Sequence, residues 1–288
     1  MWSLTIKSSV KNTPKPIKNL RQSIHRRRKW ADLTFKDEME KVSRKRVSNI
    51  VLALDFPFEK PERRQTLLGK AQNVMDAACP YICAVKFNHH LVLPLGIFNG
   101  IQSLINTAHK HGVPTIMDCK ANDIGSTNTV LAQYYYSAGF DALIANPFIG
   151  WEEGLKPIFD VASQNHRGVI LLVYMSHKGA AEGYGQTIVD RERGAKMPQY
   201  ISFAKKAKKY EADGAVVGAT YPEKIKEVRR ILGKKVPIYS PGVGAQGATV
   251  ETAVEAGARY VIVGREITLS ADPAETARKI RNIASSIK

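Results

Sequence analysis

The segment Val113-Pro-Thr-Ile-Met117, followed by Asp118-Cys-Lys120-Ala-Asn-Asp123-Ile124, is a short apolar run that ends in two acids and a lysine. The apolar part is typical of a buried β-strand. Asp118 and Lys120 are two residues apart, so a strand directs both side chains to the same side, and Asp123 lies just past its end. Because desolvating charges is costly, this alternating array favours chemistry, although a solvated turn with incidental ion pairs is the alternative.

Similar apolar runs recur along the chain from residue 49 onward, and amphipathic stretches alternate with them. The predicted strands are Asn49–Asp55, Ile82–Phe87, Thr115–Asp118, Ala142–Ala145, Val169–Tyr174, Gly214–Gly218, Val236–Tyr239 and Tyr260–Val263. The predicted helices lie near residues 60–78, 97–111, 126–138, 152–164, 196–211, 222–232, 248–256 and 273–286. This alternation is a βα repeat.

Eight apolar strands, each followed by a helix, predict an α/β fold of the (β/α)₈ TIM barrel type over residues 49–288, because both faces of such strands are buried. A doubly wound open sheet is the alternative. The first strand lacks the Gly-x-Gly-x-x-Gly turn that dinucleotide-binding sheets of that class carry.

The formal charge of +17 over 288 residues is unevenly distributed, since the first 50 residues hold 14 Lys/Arg and 4 Asp/Glu. Residues 1–48 are therefore predicted to be a basic N-terminal extension, flexible or partly helical. It could weakly bind nucleic acid or another polyanion, or simply be solvated. A targeting peptide, or a start at Met39 instead of Met1, stays open.

The three cysteines, Cys79, Cys83 and Cys119, have neither disulfide-like spacing nor nearby histidines. This pattern argues against a disulfide framework or a zinc site and favours a cytoplasmic location. We find no apolar run of the roughly 20 residues that span a bilayer, and we expect no membrane association.

Polar residues occur at the predicted carboxyl ends of four strands, where barrel enzymes place their catalytic groups. Asp55 ends the first strand and Lys86 lies near the end of the second. Asp118 and Lys120 end the third, and Ser176 follows the fifth.

The last two strands are followed by groups suited to an anion. Pro241-Gly-Val-Gly-Ala-Gln-Gly247 is a glycine-rich loop whose amides could approach a phosphate, with Gln246 as a side-chain donor. Gly264 and Arg265 follow the eighth strand and offer an amide and a planar guanidinium. Together they predict a phosphate site.

These residues resemble the orotidine 5'-phosphate decarboxylase family over about residues 49–287. The resemblance rests on Ala53-Leu-Asp55, Val85-Lys86, Asp118-x-Lys120-x-x-Asp123-Ile124, Met175-Ser176-His, Pro241-Gly-Val-Gly-Ala-Gln246 and Val263-Gly-Arg265. It implies decarboxylation of orotidine 5'-monophosphate to UMP in de novo pyrimidine biosynthesis, without metal or cofactor.

The resemblance also implies a role for each matching residue. Lys86, Asp118, Lys120 and Asp123 form the catalytic array, in which Lys120 protonates C6 of the pyrimidine. Substrate contacts are implied for Asp55, Lys86, Ile124, Thr127, Ser176, Gln246, Gly264 and Arg265. Since Asp123 and Thr127 resemble residues that a neighbouring subunit contributes, a homodimer with shared active sites is implied.

Two other functions remain as alternatives. Sugar-phosphate aldolase-like and keto-acid decarboxylase relatives share the Asp-x-Lys-x-x-Asp motif and depend on Mg²⁺. Their similarity to this chain ends at strand two, where they carry a metal-binding acid and this chain has Lys86. A non-catalytic, basic nucleic-acid-binding barrel is the alternative of another class.

Overall fold

Eight parallel strands close into a barrel in the computed structural model, which describes residues 34–190, 194–244 and 246–287. Numbered along the chain, they are β1 (Ile50–Ala53), β2 (Ala84–Phe87), β3 (Thr115–Ala121), β4 (Ala142–Ala145), β5 (Gly168–Tyr174), β8 (Gly214–Val217), β9 (Ile238–Pro241) and β10 (Tyr260–Val263). Between β5 and β8, β6 (Thr187–Val189) and β7 (Lys196–Pro198) form a separate antiparallel pair. The barrel order β1-β10-β9-β8-β5-β4-β3-β2 confirms the predicted (β/α)₈ fold and excludes the open sheet.

The barrel strands are apolar because both of their faces are buried. Side chains such as Val51, Ile144 and Leu172 belong to a core cluster inside the barrel, whereas Leu52 and Val85 belong to the cluster between strands and helices. This two-sided burial explains the near-continuous apolar runs in the sequence.

Helices surround the barrel, and most lie where the sequence predicts them. They are α1 (Phe35–Arg46), α2 (Arg64–Ala78), α3 (His89–Leu95), α4 (Gln102–Lys110), α5 (Gly125–Ala138), α6 (Lys156–Gln164), α7 (Ala180–Tyr184), α8 (Gln199–Lys209), α9 (Pro222–Leu232), α10 (Val250–Glu255), α11 (Arg265–Thr268) and α12 (Pro273–Ser286). Short helical turns at Pro61–Arg63, Cys79–Tyr81, Gly96–Ile101, Pro147–Ile149 and Trp151–Leu155 complete the helical elements. The sequence reading did not place α3, α7 or α11.

Helix α1 precedes the barrel and packs against its core. A capping box starts the helix, in which the Thr34 hydroxyl accepts a hydrogen bond from the Asp37 amide and the Asp37 carboxylate accepts one from the Thr34 amide. Phe35, Met39 and Val42 recur at helical spacing and are buried in the cluster inside the barrel. Gly168, at the start of β5, makes room for this packing, because a Cβ there would lie 2.5 Å from the Phe35 ring.

A buried carboxylate lies beside α1 at the amino end of β4. Asp141 is bound by the His109 ring nitrogen at 2.7 Å, by the Arg167 guanidinium, and by the amide and hydroxyl of Thr115 at 2.8 and 3.0 Å. Burial alone would raise the pKa of Asp141, but His109 and Arg167 outweigh it and hold that pKa at about 2. Burial and the nearby Asp141 charge raise the pKa of Glu38 on α1 to about 7.

Within the described residues, one stretch, His89–Lys110, is long and apolar enough to cross a membrane by length and composition alone. Its helix is interrupted, because Pro94 lies inside α3 and Asn99 has a non-helical backbone. Leu91, Ile101 and Leu104 are buried in the cluster between strands and helices. The stretch is thus a broken part of the helical layer.

Candidate active site

A bulge in β3 brings together three charged side chains at the carboxyl end of the barrel. The pairing register of β3 with β4 shifts between Met117 and Ala121, and Lys120 has a left-handed backbone with φ of 49°. Asp118 accepts a hydrogen bond from Lys86 Nζ at 2.7 Å through one carboxylate oxygen and from Lys120 Nζ at 2.7 Å through the other. The structure therefore places Asp118 between two ammonium groups.

Burial differs between the two lysines. The Lys86 and Asp118 side chains are 7% and 11% exposed, whereas the Lys120 side chain is 38% exposed. Burial alone would raise the pKa of Asp118, but the charges of Lys86 and Lys120 outweigh it and lower that pKa to about 2. Burial alone would lower the pKa of Lys86, but the charges of Asp118 and Asp55 outweigh it and raise that pKa. Asp118 and Lys86 are therefore both charged near neutral pH.

Asp55 lies two residues beyond β1, next to this array. Its carboxylate accepts a hydrogen bond from the Asn88 side-chain amide at 2.5 Å, and its backbone carbonyl accepts one from the Thr268 hydroxyl at 2.9 Å. Gly264 approaches so closely that a Cβ there would lie 2.8 Å from Asp55 Oδ2. The sequence analysis did not identify Asn88. It lies two residues beyond Lys86, and the two-residue period of a strand would have placed both side chains on the same face.

Ser176 follows β5 and is held by residues that follow β8. Its carbonyl accepts a hydrogen bond from the Thr220 hydroxyl at 2.9 Å, and the neighbouring His177 carbonyl accepts one from the Tyr221 hydroxyl at 3.1 Å. A Cβ at Gly218 would lie 2.6 Å from the Ser176 Cα, so only glycine permits this approach. The sequence reading also missed Thr220 and Tyr221, which the strand-end rule could have identified.

The glycine-rich loop after β9 folds close to the same mouth. Gly242 and Gly244 have φ of 101° and 72°, a backbone conformation that favours glycine. A Cβ on Gly242 would lie 2.9 Å from Gln246 Oε1 and 3.0 Å from the Ser176 Cβ. Gln246 and Ser176 therefore both lie beside Gly242.

Arg265 begins α11 directly after β10 and Gly264. Its side chain is exposed, and within the described residues its guanidinium makes no hydrogen bond or ion pair. A cation without a protein partner at the carboxyl end of a barrel strand is available to an anionic ligand.

Asp123, Ile124 and Thr127 lie elsewhere in this protomer. Among the described residues, the Asp123 carboxylate has a single hydrogen-bond donor, the Ile124 amide at 2.7 Å. Ile124 is 67% exposed. The structure thus gathers Lys86, Asp118 and Lys120, but it does not bring Asp123 into contact with them.

An apolar cavity of about 840 Å³ lies between α3 and α5, and Thr127 is one of its lining residues. Several of its large side chains are solvent-exposed. These include Leu93 at 77%, Phe98 at 46%, Val130 at 48% and Tyr134 at 57%. We call this surface the α3–α5 apolar face. A contiguous exposed apolar face of this kind marks a site of interaction.

A metal centre is not evident in the described part of the chain, which contains no group of three His, Cys, Asp or Glu side chains arranged to hold an ion. The strand-two position that could supply a carboxylate ligand is occupied by Lys86, whose ammonium group binds Asp118.

Comparison with protein families places this barrel in a single group. Residues 48–280 match the family model described as "Orotidine 5'-phosphate decarboxylase / HUMPS family". The orotidine 5'-phosphate decarboxylase of Methanosarcina acetivorans is 35% identical over 231 residues, which cover 80% of this chain and 92% of that protein. That of Pyrococcus abyssi is 34% identical and covers 80% and 96%.

Solved structures give the same result. The orotidine 5'-monophosphate decarboxylase of Methanocaldococcus jannaschii, complexed with the inhibitor BMP, superposes with a TM-score of 0.67 at 30% identity, covering 82% of this chain and 98% of that one. The orotidine 5'-phosphate decarboxylase of Pyrococcus horikoshii gives a TM-score of 0.65 at 32% identity with the same coverage.

Proposed function

The chain belongs to the orotidine 5'-phosphate decarboxylase / HUMPS family, and we propose that it converts orotidine 5'-monophosphate to UMP in de novo pyrimidine biosynthesis. The observation that carries this proposal is the position of Asp118, 2.7 Å from both Lys86 Nζ and Lys120 Nζ. Such an array supplies a fixed cation and a proton at one place, which decarboxylation at a vinylic carbon requires.

In the proposed reaction, the bond between C6 and the carboxylate carbon breaks and carbon dioxide leaves. The electron pair that stays on C6 takes a proton from Lys120 Nζ, and solvent returns a proton to the lysine. The 38% exposure of the Lys120 side chain supports this role, because a proton donor must reach both substrate and water. No cofactor takes part in this step.

Asp118 has two proposed effects on the reaction. It remains ionised, since its pKa is about 2, and it fixes the direction of the Lys120 ammonium group. In the family arrangement it also lies beside the substrate carboxylate, where repulsion would be relieved as carbon dioxide leaves.

Lys86 favours this reaction over that of Mg²⁺-dependent relatives in the same family. Its ammonium group is buried and bound to Asp118, so it occupies the position from which a strand-two carboxylate would hold a metal. The proposal therefore includes activity without a divalent cation.

The remaining substrate contacts are assigned by position. Asp55 and Lys86 hold the ribose, Ser176 binds the amide edge of the pyrimidine, and Gln246, Gly264 and Arg265 bind the phosphate. The Arg265 guanidinium has no hydrogen-bond or ion-pair partner among the described residues, and Gln246 lies close to Ser176; both observations support a ligand that spans from the base to a phosphate.

We also propose a homodimer in which each active site receives residues from both chains. Among the described residues Asp123 makes no contact with the Lys86–Asp118–Lys120 array of its own chain, Ile124 is 67% exposed, and Thr127 lines the α3–α5 apolar face. Covering that face with a second copy would bury its exposed apolar side chains and bring these three residues to the partner's site.

The three cysteines are free, which suits the proposed cytoplasmic location.

The test is an assay of purified protein after treatment with a chelator. We expect the absorbance of orotidine 5'-monophosphate to fall as UMP forms, at the same rate with and without added Mg²⁺. A requirement for Mg²⁺ would favour the aldolase-like alternative. No turnover of this substrate in folded, dimeric protein would contradict the proposal.

A further inference from the structure

The basic charge of the barrel is concentrated in one segment. Residues 196–235 contain eleven Lys/Arg and four Asp/Glu, whereas the rest of residues 49–288 contains eighteen of each. The entire net charge of the barrel therefore belongs to β7, α8, β8, α9 and the short connections beside them. An even distribution of surface charge would not produce this difference.

The segment exposes its cations on two neighbouring helices. α8 buries Phe203, Ala204 and Ala207, and α9 buries Ile225, Val228 and Leu232. The opposite faces expose cations, which are Lys205, Lys208, Lys209, Lys226 and Arg230, and the loop after α9 exposes Lys234 and Lys235. Within the described part of this segment the one ion pair is Lys224–Glu227, at 3.7 Å, so these exposed cations are not neutralised by nearby acids.

Five of these seven cations, all except Lys205 and Lys226, lie toward the end of the barrel opposite the active site. Lys208 and Lys209 end α8 before β8, and Lys234 and Lys235 precede β9, so all four lie at the amino ends of strands. Helix α1 reaches the same place, because Lys36 Nζ donates a hydrogen bond to the Lys235 carbonyl at 3.3 Å. We call Lys36, Lys208, Lys209, Arg230, Lys234 and Lys235 the basic rim.

Helix stability explains only part of the basic rim. Cations in the last turn of a helix interact favourably with its dipole, which accounts for Lys208, Lys209 and Arg230. Lys36, in the first turn of α1, lies beside the Asp213 carboxylate, whose charged form it stabilises. Lys234 and Lys235 lie beyond the end of α9 and have no ion-pair partner among the described residues, so a ligand with closely spaced negative charges accounts for these two.

We propose that the basic rim binds the phosphodiester backbone of a nucleic-acid duplex. Lysine is a compact point charge suited to phosphate, and the rim is rich in lysine. In the described part of residues 196–235 no large apolar side chain is exposed, so the surface lacks the groups that enter a membrane or stack on unpaired bases. Residues 1–33, which precede α1 in the sequence, hold nine Lys/Arg and one acid.

The basic rim lies away from the Lys86–Asp118–Lys120 array, so a bound duplex leaves the catalytic mouth open. Because the proposed contacts are to phosphates and not to base edges, binding is independent of the nucleic-acid sequence, and it is compatible with turnover. It would hold a small-molecule enzyme on a polyanion without inhibiting it.

The experiment measures binding of a fluorescent DNA duplex of about 30 base pairs to the full-length protein over a range of salt concentrations. The rim variant replaces four of its lysines by glutamine, as Lys208→Gln, Lys209→Gln, Lys234→Gln and Lys235→Gln. The matched control loses the same charge from scattered exposed positions, as Arg64→Gln, Lys70→Gln, Lys156→Gln and Lys279→Gln. Decarboxylation of orotidine 5'-monophosphate, or far-UV circular dichroism should the chain prove inactive, verifies folding.

We expect the rim variant to bind the duplex about tenfold or more weakly than wild type, with a salt slope smaller by about 3 to 4. The control should bind within about twofold of wild type, and both variants should keep wild-type kcat/KM. Equal weakening in the two variants would overturn the proposal, because net charge alone would then explain binding. Tighter binding of an unstructured single strand, or of phosphatidylserine vesicles, would also overturn it.

Discussion

At the scale of single residues, Lys120 has the most specific predicted role. Lys120→Ala should lower kcat by about 10³-fold or more, because charge develops and a proton is needed at C6 only as carbon dioxide leaves. Binding of UMP, measured by calorimetry, should weaken far less. Lys110→Ala, which removes an exposed lysine from the end of α4, is the matched control and should leave both values unchanged. Equal losses in binding and turnover would contradict the role of Lys120 as an acid in the transition state.

Arg265 offers a second residue-level prediction, since its guanidinium has no partner in the described protomer. Arg265→Ala should cost about 2 to 5 kcal/mol in kcat/KM for the nucleotide, the range for losing one member of a desolvated charge pair. With the phosphate-free nucleoside, wild type and variant should react at nearly equal, slow rates.

Arg64→Ala, at an exposed arginine of α2, controls for the loss of charge. If Arg265→Ala slows the nucleoside reaction as much as the nucleotide reaction, Arg265 supports the fold or the base site, and the phosphate assignment fails.

The charged array could be predicted from the sequence because charge after an apolar strand is rare and costly. The alternation of strand side chains predicts that Asp118 and Lys120 meet, and they do, but through a bulge with a left-handed Lys120 that alternation does not describe. Asn88 and Thr220 escaped notice because neutral amides and hydroxyls occur in every loop. Their contacts with Asp55 and Ser176 exist only once separate strand ends meet.

At the scale of elements, α1 has a predicted dependence on pH through Glu38. Folding raises the pKa of the Glu38 carboxyl from 4.5 to about 7, so the folded chain resists ionisation of this group. The protein therefore loses stability as pH rises between these two values. The pKa of His109 is also raised, since Asp141 outweighs the effect of burial, and its contribution is likewise lost as pH rises. The two groups therefore act in the same direction.

Glu38→Gln should raise the free energy of unfolding at pH 8 by about 1 to 2 kcal/mol and leave it nearly unchanged at pH 4.5, as measured by urea denaturation. Glu40→Gln, on the same helix and 47% exposed at its side chain, is the control and should show no such pH dependence. A stabilisation of equal size at both pH values would mean that packing, not ionisation, is responsible.

The length of α1 also predicts where the chain can be shortened. Removing residues 1–33 should leave kcat and the unfolding free energy unchanged, because every assigned group lies beyond them. Removing residues 1–38 should cost about 3 to 5 kcal/mol, since it deletes the buried Phe35 and the Thr34–Asp37 capping box. Thermal unfolding of the two truncated proteins distinguishes these outcomes, and equal stability would show that the Phe35 packing contributes little.

The eight strands could be predicted because each is a continuous apolar run between turn residues. The burial of α1 could not, since Phe35, Met39 and Val42 have helical spacing but lie in a strongly basic segment before the first strand, where the sequence does not show which surface receives them. These three side chains become part of the core only once the barrel has closed, because they pack against residues inside it. Helix α3 was not predicted because Pro94 disfavours the interior of a helix. The structure nevertheless contains a helix of seven residues with Pro94 inside it.

At the scale of the whole molecule, the proposed shared active sites predict complementation. Asp123→Asn and Lys120→Ala should each be inactive alone, yet mixing them should restore part of the activity, because one site of the mixed dimer receives both intact residues. Subunit exchange is verified by tagging the two variants differently and isolating the mixed dimer. An inactive mixed dimer would place Asp123 and Lys120 in the same chain's site.

Barrel closure has a further consequence for how the protein is made. β1 pairs with β10, so Ile50 and its neighbours can form their backbone hydrogen bonds with β10 only after residues 260–263 have been synthesised. At about 5–20 residues per second, a ribosome needs roughly 10–40 s to add the intervening chain. During that interval the nascent chain exposes β1 as an unpaired, wholly apolar edge, so early synthesis is the period in which this protein most needs a chaperone.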